Sequence, residues 1–412
     1  MSLIIGISIL TIIGMSSLHN AEVDQVAGAP HVVAAVTLAS TIAMLPVYLV
    51  GALSIFVREE IPLSDAQLGT LVTIYFGVSA AAALPAAHIE DRIGPRKGLM
   101  ISVLLSAASL LAIAAMAQTW QHIAAALVVS GAANAFAQPA TNLALAKSVP
   151  VARQGLAFGI KQCAVPLSTL AGGAAVPLLG LTVGWRWSFI LAAALAGLYF
   201  LVDAGTVPSV GPGRVVKAER RPMSRMFLLS LSLGGALAVG VANAMSAFYV
   251  PAAVTSGLPA GFSGTLLAVG SLCGISARVF WGWRADVDRS GQVGKVAAML
   301  AVGAVGFAML STQPNTAVFV LGTALVFGAG LGWNGLVQLT VVRTHLQTAA
   351  AATAIVAMGI FIGSVVGPLA FGHVVEQFSY PIAWMGSAGV MLVASALVLA
   401  GHRVEHRRLL LT

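Results

Sequence analysis

Charge is scarce in this chain. Lys, Arg, Asp and Glu together make up 8% of its 412 residues against 58% hydrophobic types, whereas a water-soluble domain carries about a quarter of its residues charged. That deficit excludes a soluble globular protein and makes lipid the solvent for most of the surface. Cysteine is nearly absent too. Cys163 and Cys273 are the two in the chain, too few for a disulfide framework, and both fall in apolar runs where they read as small apolar residues. No GxxxxGK[ST] loop is available to cradle nucleotide phosphates, and no His or Cys cluster has metal-ligand spacing. Neither a nucleotide-driven pump nor a metalloenzyme is supported, and no cofactor is expected. Acidic residues number 13 against 21 basic ones, leaving a net charge of +8. All of the acids, Glu90, Asp91, Asp286 and Glu376 among them, lie at the ends of apolar runs, between them or near the N-terminus.

Apolar runs are what the chain has in abundance. Stretches of about 20 residues suffice to cross a core of roughly 30 Å. Twelve occur, at about 31–57, 66–88, 97–117, 122–146, 155–181, 186–204, 226–251, 262–283, 295–312, 316–342, 348–374 and 379–400. The pattern predicts an all-α polytopic membrane protein. With twelve spans, both termini and every even-numbered loop share one face, and 17 of the 21 Lys and Arg fall there. They run from Arg92, Arg96 and Lys97 through the cluster between Arg214 and Arg225 to Arg407 and Arg408. The other face has Arg58 and Arg186, and the last two cations, Lys161 and Arg278, fall inside spans. Basic loops stay cytoplasmic, which places both termini in the cytoplasm and the chain in the plasma membrane as a multi-pass protein. Topology thus accounts for the positive charge, and no nucleic-acid partner is expected. The run from Leu3 to Met15 is too short to span and no Lys or Arg precedes it, so residues 1–30 read as an interfacial extension rather than a signal peptide.

The chain also repeats itself. Gly69-Thr70-Leu71 and Gly264-Thr265-Leu266 align at an offset of 195 that places Asp91 on Asp286, while Gly131-Ala132 and Gly328-Ala329 align at 197, with Trp187 on Trp384. Parallel duplication of this kind occurs in many transporters. It predicts two six-helix halves, 31–204 and 226–400, joined by a basic, Pro- and Gly-containing linker at 205–225 and followed by a cytoplasmic tail at 401–412.

The loop after span 2 reads DRIGPRK from Asp91 to Lys97, and its counterpart after span 8 reads GWRADVDRSG from Gly282 to Gly291. Both resemble the signature loop of the major facilitator superfamily, a Gly, three residues, then Asp-Arg-x-Gly and basic residues. Ala87 stands where the first copy should have its Gly, and the second copy is stretched before Arg289 and Gly291. The resemblance covers about 31–400 and implies a secondary carrier that rocks its halves about a central site. It further implies that Asp91, Arg92, Arg96, Gly282, Asp286 and Arg289 form a conformational switch. An Asp at a membrane face can accept charge-assisted hydrogen bonds from a neighbouring helix end and so fasten one state. The alternative is that Arg96 and Lys97 are ordinary cytoplasmic anchors.

The interior cations carry the functional reading. Lys161 lies in GIKQCAVP of span 5 and Arg278 in ISARVFWGW of span 8. A charge at mid-membrane costs roughly 2.5 to 3.5 kcal/mol on insertion scales and marks a substrate or ion path. With no acid in the interior, the transported solute is the natural source of the counter-charge, and Arg would grip a carboxylate-like anion through its planar fork. Both side chains could instead snorkel to the cytoplasmic face, or Arg278 could pair with Asp286. Arg278 followed by Gly282 also resembles span 8 of the oxalate/formate and monocarboxylate carriers. In the oxalate carriers a Lys sits in span 11, where this chain has Met358 and carries its Lys in span 5 instead.

Further polar residues extend the candidate cavity. Asn134, Gln138 and Asn142 recur every four residues along span 4 and share a helix face. Gln162, Asn243, Trp333 and Asn334 are further candidates, and each has a packing alternative. Pro139, Pro166 and Pro368 predict kinks, and the glycines at 359, 363, 367 and 372 predict close helix approach along span 11. The expected partners are a small-molecule substrate, anionic on this reading, and the lipid bilayer. A coupling proton is left open because no embedded carboxylate is visible. The chain is expected to act as a monomer. Two other readings compete, a proton-coupled exporter of hydrophobic drugs and a non-transporting sensor with a carrier fold. Leu127 occupies the place of an Arg common in span 4 of drug exporters, which weighs against the first.

Overall fold

The computed structural model describes residues 23–150, 153–203, 207, 225–288, 292–312, 315–337, 340 and 349–411. Most of the linker, Arg289 and Gly291 and most of the N-terminal extension lie outside these residues, and so does the side chain of Asp286. Among the described residues the chain is helical, with no strand. A lipid core offers backbone amides no water, so a spanning segment must bond them within its own helix.

Twelve helices are long and apolar enough to cross a membrane: Ala29–Ala52, Asp65–Ile93, Pro95–Met116, Trp120–Ser148, Gln154–Gly180, Trp185–Val202, Met226–Thr255, Ala260–Ala285, Gln292–Ser311, Thr316–Val337, Ile355–Gln377 and Tyr380–Glu405. They are called spans 1 to 12. The expected first span, 31–57, stops at Ala52, and a separate short helix, Ser54–Glu60, turns the chain over the membrane face. Ser64 and Gln67 then exchange reciprocal side-chain and backbone hydrogen bonds of 3.2 and 2.9 Å that cap the start of span 2.

The spans form two six-helix halves related by pseudo-symmetry, and the contacts between halves recur at the offset of the sequence repeat. Tyr48 of span 1 donates a hydrogen bond of 3.1 Å to Asn243 of span 7, exactly one repeat offset away in sequence at 195 residues. Gly69 of span 2 packs on the backbone of Pro368 in span 11, and its repeat mate Gly264 of span 8 packs on the backbone of Gly173 in span 5. Spans 2 and 11, spans 5 and 8, and spans 1 and 7 are therefore the seams between halves. The expected close approach along span 11 is present: Gly359, Gly363 and Gly367 lie on the backbone of span 7 at Ser232, Ala236 and Gly240, and Gly372 lies on Asp65.

Candidate functional site

Span 5 is not a continuous α-helix. It runs from Gln154 to Lys161, loosens at Gln162 and Cys163, and resumes at Ala164–Ala175. Pro166 explains the break, since it has no N–H for the carbonyl of Gln162 four residues back and its ring crowds that group. Pro139 and Pro368, by contrast, sit in helices that run on through them. Span 10 is irregular as well, with a π-helical turn at Val326–Gly330 just before Trp333. Interrupted helices at mid-membrane free backbone groups and commonly line transport sites.

The break sets Lys161 against span 4. Its side chain is 2% exposed, and its Nζ donates to Gln138 Oε1 at 2.9 Å and Asn142 Oδ1 at 3.3 Å. Gln138 Nε2 in turn donates to Asn134 Oδ1 at 3.4 Å, and Asn134 Nδ2 to Ser79 Oγ of span 2 at 2.7 Å. The amide stripe of span 4 is thus a row that ends on the ammonium. Gln138 lies ten residues from the end of span 4, about 15 Å inside at 1.5 Å per residue. The lysine is held at that depth rather than reaching for the membrane face.

Arg278 occupies a different setting. It is 8% exposed, and its Nη1 donates to Gly274 O at 3.2 Å, one turn further from the basic face. The guanidinium therefore points inward, against the direction of snorkelling. Tyr48 and Cys163 lie within electrostatic reach, and among the described residues no carboxylate forms an ion pair with it. Beside it runs a narrow cleft walled by Gly155, Gly159 and Gln162 of span 5, Trp281 and Gly282 of span 8, and Gly332 and Gly335 of span 10. The helices approach this closely because Gly282 lacks a side chain: a Cβ there would lie 3.0 Å from Gly155 O and 3.3 Å from Gly159 Cα.

The structure thus gathers Lys161 with Asn134, Gln138 and Asn142, and Arg278 with Gln162, but turns the two cations to different walls of span 5. Asn243 is buried, takes the Tyr48 hydroxyl on Oδ1 and leaves Nδ2 without a partner. Trp333 packs its ring 3.8 Å from the position of a Cβ on Gly235 in span 7, so it serves that helix contact. Asn334 keeps a buried Oδ1 with no donor. Tyr48 and Ser79 were not read from the sequence as site residues. The repeat offset from Asn243 would have pointed to Tyr48.

A model of the Major Facilitator Superfamily matches residues 33–358. The chain belongs to the major facilitator superfamily. It is 27% identical over 358 residues to a chloramphenicol resistance protein of Streptomyces lividans, covering 84% of this chain and 88% of that one. Its fold resembles the crystal structure of a bacterial homolog of the human lysosomal transporter Spinster, solved in an inward-facing and occupied conformation. The TM-score is 0.68 at 17% identity, covering 91% of this chain and 97% of that one. The protein is a transporter of the alternating-access type and not an enzyme.

In this carrier the face poor in basic residues is closed. Glu376 of span 11 accepts from Ser64 Oγ at 2.7 Å and Ala66 N at 2.6 Å at the start of span 2. Asp65 accepts from Tyr380 Oη and from Arg58 Nη2, both at 2.6 Å. Each bond involving Glu376 or Tyr380 joins one half to the other. On the same face Arg186 and Trp185 Nε1 bind Glu60, and the Arg186 guanidinium holds the Glu60 carboxyl below the ordinary carboxylate range. On the basic face, Asp91 and Arg92 are exposed and Arg96 is half-buried. One residue there is more enclosed than its place at a span end suggests. Glu90, read as a span-end acid, is 4% exposed. It stands three residues from the end of span 2 with its carboxyl turned onto Gly98 of span 3, although Asp91 and Arg92 beside it are exposed.

Proposed function

We propose that the protein is a secondary transporter of a small, carboxylate-like organic anion, with Arg278 as the principal anion-binding group. The observation that carries this reading is a buried guanidinium that spends one hydrogen bond on a backbone carbonyl and, among the described residues, pairs with no carboxylate. A carboxylate would accept a bidentate pair from it and supply the missing charge. Gln162 lies beside the same cleft, the unpartnered Nδ2 of Asn243 is a further donor, and Lys161 adds the field of a second cation while its ammonium holds the amide row. Asp91, Arg92, Arg96, Gly282, Asp286 and Arg289 form the proposed switch at the basic face. We place that face and both termini in the cytoplasm, in the plasma membrane, with the chain acting as a monomer without a cofactor.

The test is thermal stabilisation of purified protein by small carboxylates, each compared with its neutral amide, since a ligand of the native state stabilises in proportion to its occupancy. Stabilisation by acids and not amides, lost in Arg278→Gln, is the expected result. Equal stabilisation by acid and amide would remove the anion reading. A second reading, export of hydrophobic drugs, is favoured by the relative named for chloramphenicol resistance. It is distinguished by stabilisation with chloramphenicol that survives Arg278→Gln. Orientation is tested separately: Gln118→Cys should react with an impermeant thiol reagent on intact cells and Arg403→Cys should not.

A further inference from the structure

Among the described residues Glu90 is the one acid of a span that is buried, at 4% exposed, and its Oε1 has no hydrogen-bond partner. It lies over the first turns of span 3, where a Cβ on Gly98 would come within 2.6 Å of Oε1 and 2.9 Å of Cδ. The missing side chain of Gly98 is what makes room for the carboxyl. Along span 2, eleven residues separate Glu90 from Ser79, a rotation that returns to within about 20° of the same face at a distance of about 16 Å. Ser79 is the end of the row that leads from Lys161.

The charged and titratable groups of the described residues around this seat can be named element by element. Span 2 itself brings His88, Asp91 and Arg92, all exposed; span 3 brings Arg96 and Lys97 in its first turn; span 4 brings Lys147, exposed, and span 1 brings His31, exposed. Span 11 brings no charged side chain to this end. None of them donates to the buried oxygen. A carboxylate without donors in an apolar seat is costly, whereas the neutral acid needs no counter-ion there. Cations on the adjoining turns would receive the carboxylate once it left the seat.

We propose that Glu90 is a proton-binding site: the neutral acid fills the notch at Gly98 in the state described here, and the proton leaves when the alternate state withdraws the side chain. Proton binding then favours the state whose sparsely charged face is closed, because a ligand shifts an equilibrium toward the conformation that binds it. The inference rests on alternating access alone and is independent of the substrate.

The experiment uses the full chain in nanodiscs without substrate, with Cys163 and Cys273 replaced by Ala and spin labels on cysteines at Ala146 and Val287, exposed positions at the basic-face ends of spans 4 and 8. Acidification should drive the distance distribution toward one population. Glu90→Gln should show that acid-side population at every pH and lack a protonated-carboxyl infrared band present in the native protein. Gly98→Ala keeps the carboxyl but fills its seat, so the transition should move to lower pH. A native distribution that ignores pH, or an unchanged transition and infrared spectrum in Glu90→Gln, overturns the proposal. Monodisperse elution of both variants checks that they fold.

Discussion

Spans 5 and 8 and spans 2 and 11 are the same seam twice, related by the internal repeat, yet they close differently. The 5–8 seam is in contact over its whole length, from Gly264 against Gly173 through the Thr169–Ser271 hydroxyl pair at 2.7 Å to Gly282 against Gly155. The close contacts of the 2–11 seam among the described residues lie toward the sparsely charged face, at Gly69 on Pro368 and at Thr73 Oγ1, which donates to Val365 O at 2.8 Å. Nearer the basic face Leu84 and Met358 are 73% and 65% exposed. The charges follow the same division. Lys161 and Arg278 belong to the two helices of the 5–8 seam, Lys161 turned toward span 4, and the repeat offsets place Met358 and Ala83 at the corresponding positions of spans 11 and 2. A symmetric frame therefore has one seam in contact along its length, whose helices carry the two interior cations, and another whose side chains are exposed toward the basic face. The comparison also explains Ala87. It is the repeat mate of Gly282, on the seam whose side chains at Leu84 and Met358 are exposed.

The strongest way to break the comparison is to remove the charge from the 5–8 seam. Arg278→Gln should weaken binding of a stabilising carboxylate by about 2–5 kcal/mol, the cost of losing one partner of a buried charge pair. Arg278→Lys should fail to restore it because the fork is lost. Titration calorimetry reads both. Lys161→Gln should weaken binding less, by about 1 kcal/mol, because two amide oxygens already hold the ammonium and only its field reaches the anion.

Packing gives the next effect. Gly282→Leu forces a side chain between helices in contact and should destabilise by about 1–3 kcal/mol, as overpacking does. Ala87→Leu, its mate on the open seam, should leave the melting temperature nearly unchanged. Equal losses would mean that the two seams are packed alike.

Glu376→Gln tests the closed end of the 2–11 seam. Its bonds to Ser64 and Ala66 are charge-assisted but exposed, so about 1 kcal/mol is expected. That corresponds to a several-fold shift toward opening of that face, visible as longer label distances between the ends of spans 2 and 11. A double-mutant cycle with Ser64→Ala should show coupling.

The smallest effect is a pH dependence. The Glu60 carboxyl is held low by Arg186, so its stabilisation is full above the ordinary Glu range and is lost as pH falls through the lowered value. Solvent screening keeps it well under about 1 kcal/mol. Acid unfolding of Glu60→Gln, which lacks this contribution, should be correspondingly less steep.

Much of this was legible before any coordinates. Runs of apolar residues report directly on a lipid solvent, so the spans were readable to within a turn or two. The pairing of Lys161 with the span 4 stripe was foreshadowed by a spacing of four residues, which places Asn134, Gln138 and Asn142 on one face. The burial of Glu90 was not, because an acid three residues from a helix end looks solvated until a neighbouring glycine is brought against it. Nor was the separation of the two cations, since residues 161 and 162 are neighbours in sequence but face different walls of a helix broken by Pro166.

The sequence by itself determined the membrane class, the number of spans, the duplication and the presence of two cations inside the apolar runs, because each follows from composition and periodicity along a single chain. Only the tertiary structure decided which cation is satisfied and which is open, which seam is tight, and which acid is enclosed. Those properties depend on what stands across a helix interface, in this protein from a few residues to some 300 residues away in sequence, and no local pattern carries that distance.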